Sequence, residues 1–425
     1  MNKGKGTEGI LTGYRVLDVT DEKGLLCGKV LGDLGADVLK IEPPGGSAAR
    51  DIGPFYKDIP DREKSLFWFF TNTSKRGITL NLETADGREI FKRLVKTAHF
   101  VIESFEPGCM AGLGLGYEDL EKINPGLVMT SITPFGQKGP YAHYKAADIT
   151  LSGMGGHMRL YGERDRAPLR IGQPQAFFLG SLHGALGSMV AHYHRELTGE
   201  GQHVDVSCQQ AVVLSLMNAV EVWDVNKVNY RGGGAFSVIT RSGPLGVLYH
   251  RRIWPCKDGH VCFIVGGGAA LGIRISTEGV TRWASEEGFA QEIKDLDWAE
   301  YDYSTMPLDI WEASQKGFAP FLATKAKDEL FKKAVAESLM ICPVNTVKDI
   351  LGCPQLKARD YWAKVEHEEL GDTITYPGAP VKMTEAPWRI RRRAPLIGEH
   401  NEEVYVSELG FSREQLTAMK SRGII

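Results

Sequence analysis

The feature that most constrains the fold is an alternation of strand, helix and strand near the N-terminus. Residues 14–19 and 36–41 are short apolar runs, and residues 23–34 between them have the pattern of a helix. Segments of these lengths form a right-handed βαβ unit, which requires a parallel sheet. No Gly-x-Gly-x-x-Gly follows the first run, so the fingerprint of a nicotinamide or flavin site is missing. The sequence therefore predicts an α/β fold that lacks this fingerprint.

The same alternation continues and marks two candidate ligand loops. Strand-like runs at residues 100–103 and 128–133 are each followed by a loop rich in glycine and proline, at residues 104–108 and 134–140. In open α/β sheets, ligands bind beyond the carboxyl ends of the strands. The two loops are therefore either ligand loops or plain turns, and both interpretations are open on local grounds.

Length and composition bound the class of protein. A chain of 425 residues is long enough for two domains, and the polar, glycine-rich residues 224–236 suggest where the second one starts. The net charge of −3 gives no electrostatic reason to expect nucleic acid or an acidic membrane surface as a partner. Seven cysteines lack the spacing of a disulfide or zinc site, and no apolar run reaches the roughly 18–20 residues of a membrane span. We expect a soluble, cytoplasmic protein without a metal.

Residues 169–207 form the stretch that bears most on function. Small residues, including Gly180, Gly184 and Gly187, recur on the close-packing faces of a predicted helix, and a strand at 203–207 follows. A backbone that approaches its neighbours so closely serves either a cofactor or a tight helix contact.

Five motifs along the chain carry a resemblance to a known family. They are RVLDV at 15–19, LGADVLKIE at 34–42, KRGITL at 75–80, SITPFGQKGPY at 131–141 and LTGEGQHVDV at 197–206, and the ending at 395–410 matches as well. Together and in this order, they resemble the class III CoA-transferases, the family of formyl-CoA transferase, carnitine CoA-transferase and α-methylacyl-CoA racemase. The resemblance covers nearly the whole chain.

The resemblance implies an architecture and a reaction. A large Rossmann-like domain with a parallel sheet would comprise residues 1–222, completed by about 395–425, and a smaller α+β domain would comprise 223–340. Residues 341–394 would be a return linker in an interlocked-ring dimer. Coenzyme A thioesters would be substrates, with no tightly bound cofactor. A carboxylate would attack the thioester, and CoA would pass to a small organic acid through anhydride and enzyme-bound thioester intermediates.

The chain departs from the family at the nucleophile. Members commonly read Arg-Val-Gly-x-Pro-x-Ala-Asp-Tyr, with the aspartate as nucleophile, whereas Arg170-Ile-Gly-Gln-Pro-Gln-Ala176 is followed here by Phe177. A phenyl ring neither attacks a thioester nor holds a proton. No Asp or Glu lies between Asp165 and Glu196. We therefore expect no catalytic residue at this position of the chain.

A missing nucleophile predicts a partner. The pattern is similar to the aspartate-lacking subunits of heteromeric transferases that move CoA from succinyl-CoA to benzylsuccinate or related aryl-succinates. A homologous subunit that bears the Asp would then complete an interlocked heterodimer or heterotetramer, and the isolated chain would be inactive.

Seven residues match CoA contacts of the family by position. They are Leu80 and Leu82 beside the adenine, Ser104 and Phe105 through backbone groups, Thr133 and Phe135 near the thioester, and Lys138 as a cation for a phosphate or carboxylate. Phe177 would line the place where the acyl group reacts. The glycine loop of the family would fall near residues 242–244, where it is eroded.

Two other functions are open. One is a non-catalytic CoA-binding or assembly protein, which would share the missing aspartate. The other is an acyl-CoA racemase, but Ala147 and Phe177 replace the His and Asp that such an enzyme uses as acid and base. An active site built from Asp148, Glu103 or His183 is a further alternative, although for Asp148 and His183 a structural hydrogen bond is the usual role.

Overall fold

The strands predicted near the N-terminus form one parallel sheet in the computed structural model, which describes residues 9–163, 165–240, 247–302 and 306–425. Its strands are β1 (Arg15–Asp18), β2 (Asp37–Glu42), β3 (Lys75–Thr79), β4 (Phe100–Glu103), β5 (Val128–Thr133) and β6 (Gln202–Ser207). Their order is β3-β2-β1-β4-β5-β6, and every neighbouring pair is parallel. The prediction of an α/β fold with a parallel sheet is confirmed.

The strand order reverses between β1 and β4, which are neighbours in the sheet. Val16 of β1 is in register with Val38 of β2 on one side and with Phe100 of β4 on the other. The chain winds away from this point in both directions, so the loops after β1 and β4 diverge above it. In doubly wound sheets the crevice at such a reversal is where ligands bind.

Helices lie between the strands of the sheet and continue beyond them along the chain. They are α1 (Leu25–Asp33), α2 (Leu66–Thr71), α3 (Ala85–Val95), α4 (Cys109–Gly112), α5 (Tyr117–Leu120), α6 (Asp148–Met154), α7 (His157–Leu160), α8 (Gln175–Thr198), α9 (Cys208–Leu214), α10 (Ala219–Asn226), α11 (Leu271–Glu286), α12 (Leu308–Thr324), α13 (Lys327–Glu337), α14 (Val347–Gly352), α15 (Pro354–Ala358) and α16 (Arg413–Ser421). Within the described residues, no helix is long and apolar enough to cross a lipid bilayer.

The glycines of α8 serve close packing. A Cβ added to Gly180 would lie 2.4 Å from the Cys208 sulfur, and one added to Gly184 would lie 2.7 Å from Ile132 on β5. Gly187 meets Val204 of β6 in the same way, at 2.7 Å. Of the two interpretations of this stretch, the structure therefore shows the tight contact between a helix and its neighbours.

Contacts divide the chain into two units. The large unit contains residues up to 157, 171–217 and 354–425, and the small unit contains 158–170 and 218–353. The small unit has an antiparallel sheet β11-β10-β9 and a separate pair β7-β8, with α11 to α13 packed around a core rich in Trp and Phe. Its strands are β7 (Phe236–Thr240), β8 (Val247–Arg251), β9 (Ile253–Cys256), β10 (Gly259–Phe263) and β11 (Ile341–Val344). The prediction of a smaller α+β domain is confirmed.

The chain returns to the large unit after α14 and adds an antiparallel pair to it. This pair consists of β12 (Trp362–His367) and β13 (Asp372–Pro377). Val365 and Tyr376 share a buried cluster with Trp68 and Phe69. The residues expected to form a return linker thus contain two strands. Their buried apolar side chains pack against other apolar residues of the large unit. The predicted domain boundaries themselves stay a prediction.

Candidate functional site

A serine and an aspartate link the two loops that border the crevice beyond β1 and β4. The Ser104 hydroxyl, just after β4, accepts a hydrogen bond from the Asp21 backbone N–H at 2.8 Å and donates to Asp21 Oδ1 at 2.7 Å. The other carboxylate oxygen of Asp21 pairs with the Lys23 ammonium. These contacts fix the loop after β1 against the loop after β4, as a ligand crevice requires.

A buried carboxyl group lies at the base of this crevice. Glu103 is the last residue of β4 and is 4% exposed. Its Oε2 accepts a hydrogen bond from the Phe105 backbone N–H at 2.7 Å. Burial raises the pKa of Glu103 to about 7, because removal from water penalises the charged form more than the hydrogen bonds to Ser131 and Phe105 favour it. Glu103 therefore titrates close to neutral pH.

A cavity of about 230 Å³ opens between the two loops predicted to bind a ligand. Its lining combines cations, aromatic rings and prolines: Lys23, Phe105, Glu106, Pro107, Pro134, Ala142, His143, Tyr144, Lys145 and Ala146. Lys145 is 3.7 Å from the exposed Glu106 carboxylate. Lys23 and Lys145 thus give the cavity two ammonium groups, each beside a carboxylate of the protein, and ammonium groups are common partners of phosphates and carboxylates.

The loop after β5 is shaped by its own hydrogen bonds. The Thr133 hydroxyl accepts from the Gly136 N–H at 2.9 Å, and the Asp205 carboxylate accepts from the Gln137 N–H at 3.0 and 3.1 Å. Phe135 packs edge-on against Tyr141, with ring centroids 5.9 Å apart. Lys138, at the tip, is exposed.

The predicted CoA residues fall into separate neighbourhoods. Leu80 is 2% exposed and belongs to one apolar cluster, against which Leu82 and Phe105 pack. Phe135 and Phe177 belong to a second cluster with residues of α1 and β5. The structure thus brings Phe105 to the cavity and leaves Leu80 inside the protein core.

Phe177 occupies the first turn of α8 and is 6% exposed. Its backbone N–H donates to Asp148 Oδ2 at 3.1 Å, so this carboxylate satisfies a helix N-terminus. One turn further on, the Ser181 hydroxyl donates to the Lys23 carbonyl at 2.9 Å. Phe177 is therefore connected through α8 to the loop after β1, which lines the cavity. Asp148 has a structural hydrogen bond, and His183 is a half-buried residue of α8.

Asp21, Lys23 and residues 142–146 were missed as site residues by the sequence analysis. A signal was available for Asp21 and Lys23, since polar residues that directly follow a strand are typical of ligand loops. Residues 142–146 follow a turn and carried no such signal. Residues 242–244, where the family's glycine loop would fall, lie outside the described residues. Among those described, no group of three His, Cys, Asp or Glu side chains is arranged to hold a metal ion.

The doubly wound sheet, the crevice and α8 together resemble a class of known structures. A CaiB/BaiF family protein from Brucella suis superposes with a TM-score of 0.79 at 27% identity, covering 94% of this chain and 100% of that one. The fold is that of the CaiB/BaiF proteins.

Sequence comparison gives the family directly. The model of CoA-transferase family III matches residues 11–401, and the chain belongs to that family. The BbsE subunit of succinyl-CoA:(R)-benzylsuccinate CoA-transferase from Thauera aromatica is 34% identical over 97% of both chains. Formyl-CoA:oxalate CoA-transferase from Streptomyces avermitilis is 31% identical over 98% of this chain and 99% of its own. The chain is a CoA-transferase enzyme, and its substrates include a CoA thioester.

Proposed function

We propose that the chain is the subunit of a heteromeric class III CoA-transferase that lacks the nucleophile. The donor is succinyl-CoA, and the acceptor is benzylsuccinate or a related aryl-succinate. A homologous sister subunit supplies the aspartate. The observation that carries this proposal is Phe177, a buried phenyl ring at the family's nucleophile position. The relative BbsE, whose name states a subunit and this reaction, supports the choice of donor and acceptor.

The chemistry of the reaction explains why Phe177 cannot serve as the nucleophile. In the family's reaction a carboxylate oxygen bonds to the acyl carbon of the donor thioester, the C–S bond breaks, and CoA leaves as a thiolate. The thiolate then attacks the enzyme carbonyl of the mixed anhydride, which releases the donor acid and leaves an enzyme thioester. The acceptor carboxylate repeats these steps in reverse. Each step needs a carboxylate on the enzyme, and the ring of Phe177 has no atom that can replace it.

This chain would still contribute a CoA site. In the proposal, Ser104 and Phe105 contact CoA through backbone groups, and Thr133 and Phe135 lie near the thioester. Lys23 and Lys145 at the cavity, with the exposed Lys138, attract the phosphates. The buried Leu80 supports the adenine site from below, and Leu82 lies beside the adenine.

An exposed apolar face supports the proposed partner. Leu182, Leu186, Val190, Tyr193 and Leu197 recur every three or four residues along α8, so they lie on one side of that helix. They are between 46% and 69% exposed. Faces of this kind mark protein interfaces. We place the Asp-bearing subunit on this face, in an interlocked arrangement.

A cytoplasmic location is part of the proposal and is supported by the free state of all seven cysteines.

The test is to assay the chain alone and with an Asp-bearing homologue. CoA transfer from succinyl-CoA to benzylsuccinate should require both chains. Full activity of the wild-type chain alone would refute the proposal.

A pair of variants then probes the nucleophile position. Phe177→Asp should give the isolated chain measurable transfer, because it restores the carboxylate on a scaffold that binds CoA. Phe178→Asp, which adds the same carboxylate one residue later, is the matched control and should stay inactive.

A further inference from the structure

The small unit contains two adjoining cavities of about 420 Å³ each that share Gly162 and Gly234. The polar cavity is lined by Arg231 and Arg252 with Tyr161, Tyr230 and Phe236. The apolar cavity is lined by Leu169, Ala235, Ile253, Pro255 and Val344, with Glu163, Arg251 and His260 at its edge. Both volumes lie in the usual range for small-molecule sites, about 300–1,000 Å³.

Backbone hydrogen bonds build the wall between these cavities. The Gly232 N–H donates to the Arg159 carbonyl and the Gly234 N–H to the Gly162 carbonyl, both at 2.9 Å. The Arg252 N–H donates to the Ala235 carbonyl at 2.8 Å. A Cβ on Gly232 would lie 2.8 Å from the Gly162 oxygen, so only glycine fits there. The shape of the site is therefore set by the main chain.

Charge is distributed unevenly over the two cavities. Arg231 is exposed, and its contact with the Arg166 carbonyl at 3.5 Å involves one of the five N–H donors of a guanidinium. Glu163 lies at the apolar cavity, where a Cβ on Gly234 would be 3.2 Å from its carboxylate. An anion is consequently attracted to Arg231 in the polar cavity, whereas an uncharged ring meets Leu169 and Val344 in the apolar cavity.

We propose that the two cavities together bind the acceptor acid, an aryl-substituted dicarboxylate. A carboxylate of the acceptor pairs with Arg231 in the polar cavity, because the planar guanidinium matches a carboxylate with two parallel hydrogen bonds. The aryl ring lies against Leu169 and Val344. This inference rests on the proposed function, since it assigns the site at which this chain would recognise an aryl-succinate.

Two variants of the complete complex test each half of the site. Arg231→Gln should raise the KM for benzylsuccinate by about ten- to a hundred-fold, the range for losing a charge-assisted hydrogen-bond pair, and leave the KM for succinyl-CoA unchanged. Leu169→Trp, at an exposed position, should fill the apolar cavity. It should raise the KM for benzylsuccinate and leave CoA exchange between succinyl-CoA and labelled succinate intact. Arg274→Gln, which removes an arginine of the same unit that pairs with Glu278, is the matched control.

Calorimetry with the full wild-type chain separates this inference from the proposed function. Benzylsuccinate should bind, and Arg231→Gln should weaken that binding even if no complex turns the acid over; lack of turnover would then count against the proposed function only. If Arg231→Gln instead weakens binding of CoA or inorganic pyrophosphate and not of benzylsuccinate, the polar cavity is a phosphate site and the inference is overturned. Unchanged benzylsuccinate binding and KM in both variants would overturn it as well.

Discussion

Glu103 provides the sharpest test of the electrostatics of the crevice. The variant Glu103→Gln keeps the size of the side chain and an oxygen that can accept from the Phe105 N–H, and it removes the titrating group. The wild-type carboxyl is 4% exposed, and burial raises its pKa to about 7 from an ordinary value of 4.5. The variant should therefore differ from wild type in a way that depends on pH.

The sign and the size follow from proton binding. Between pH 4.5 and about 7 the unfolded chain has already lost the Glu103 proton, whereas the folded protein still holds it. Stability from this group therefore falls as pH rises through that range and is constant above it. Two and a half pH units at about 1.4 kcal/mol each give a cost of about 3 kcal/mol at pH 8. Glu103→Gln has no carboxyl group to deprotonate. Its free energy of unfolding relative to wild type should therefore rise by up to about 3 kcal/mol from pH 4 to pH 8.

Urea unfolding of both proteins at several pH values measures the difference. Glu106→Gln is the matched control, because it makes the same change at an exposed carboxylate of the same loop. A difference between Glu103→Gln and wild type that is the same at pH 5 and pH 8 would refute the raised pKa.

Three further changes probe the framework of the large unit. Lys75→Met should destabilise by about 3–5 kcal/mol, because Lys75 is fully buried and its loss strips the buried Asp18 of a partner at 2.8 Å; adding Asp18→Asn should recover part of the loss in urea unfolding. Asp148→Ala should cost about 1 kcal/mol by removing the carboxylate at the start of α8, and circular dichroism on heating should show a lower midpoint. Gly201→Ala should be severely destabilising, since its Cβ would lie 2.0 Å from the Leu127 carbonyl oxygen, whereas Gly112→Ala, with open space around it, should be nearly neutral in the same assay.

The sheet could be predicted from sequence because its strands are short apolar runs at regular intervals. β3 shows the limit of that signal. The apolar run at residues 78–82 predicts a strand there, whereas β3 spans Lys75–Thr79 and begins with two charged residues. Lys75 is buried there through ion pairing with Asp18, and Arg76 through pairing with Asp37. Apolar periodicity cannot reveal such residues, because the compensating charges lie on other strands.

The candidate site could be located only in part for a similar reason. The loop containing Phe105 was found because it directly follows a strand. Tyr144 and Lys145 line the same cavity from a turn that belongs to no strand or helix. Likewise, the apolar spacing of residues 209–222 predicts one helix, but Met217 adopts a positive φ of 57° and separates α9 from α10. A local sequence pattern contains no information on the position of the turn or on the interruption of the helix.

The surroundings of Phe177 bear on the proposal that this chain lacks the nucleophile of its family. Two hydrogen bonds hold the main chain around this residue without involving its ring: Asp148 accepts from its backbone N–H, and Ser181 anchors the next turn of α8 to the loop after β1. The phenyl ring packs into an apolar cluster, where burial would penalise an unpaired carboxylate. Under the proposal, Phe177 in place of the acid would remove the chemistry and leave both of these hydrogen bonds in place. The hydrogen bonds around Phe177 would therefore keep this part of the fold intact in a subunit whose partner carries the aspartate.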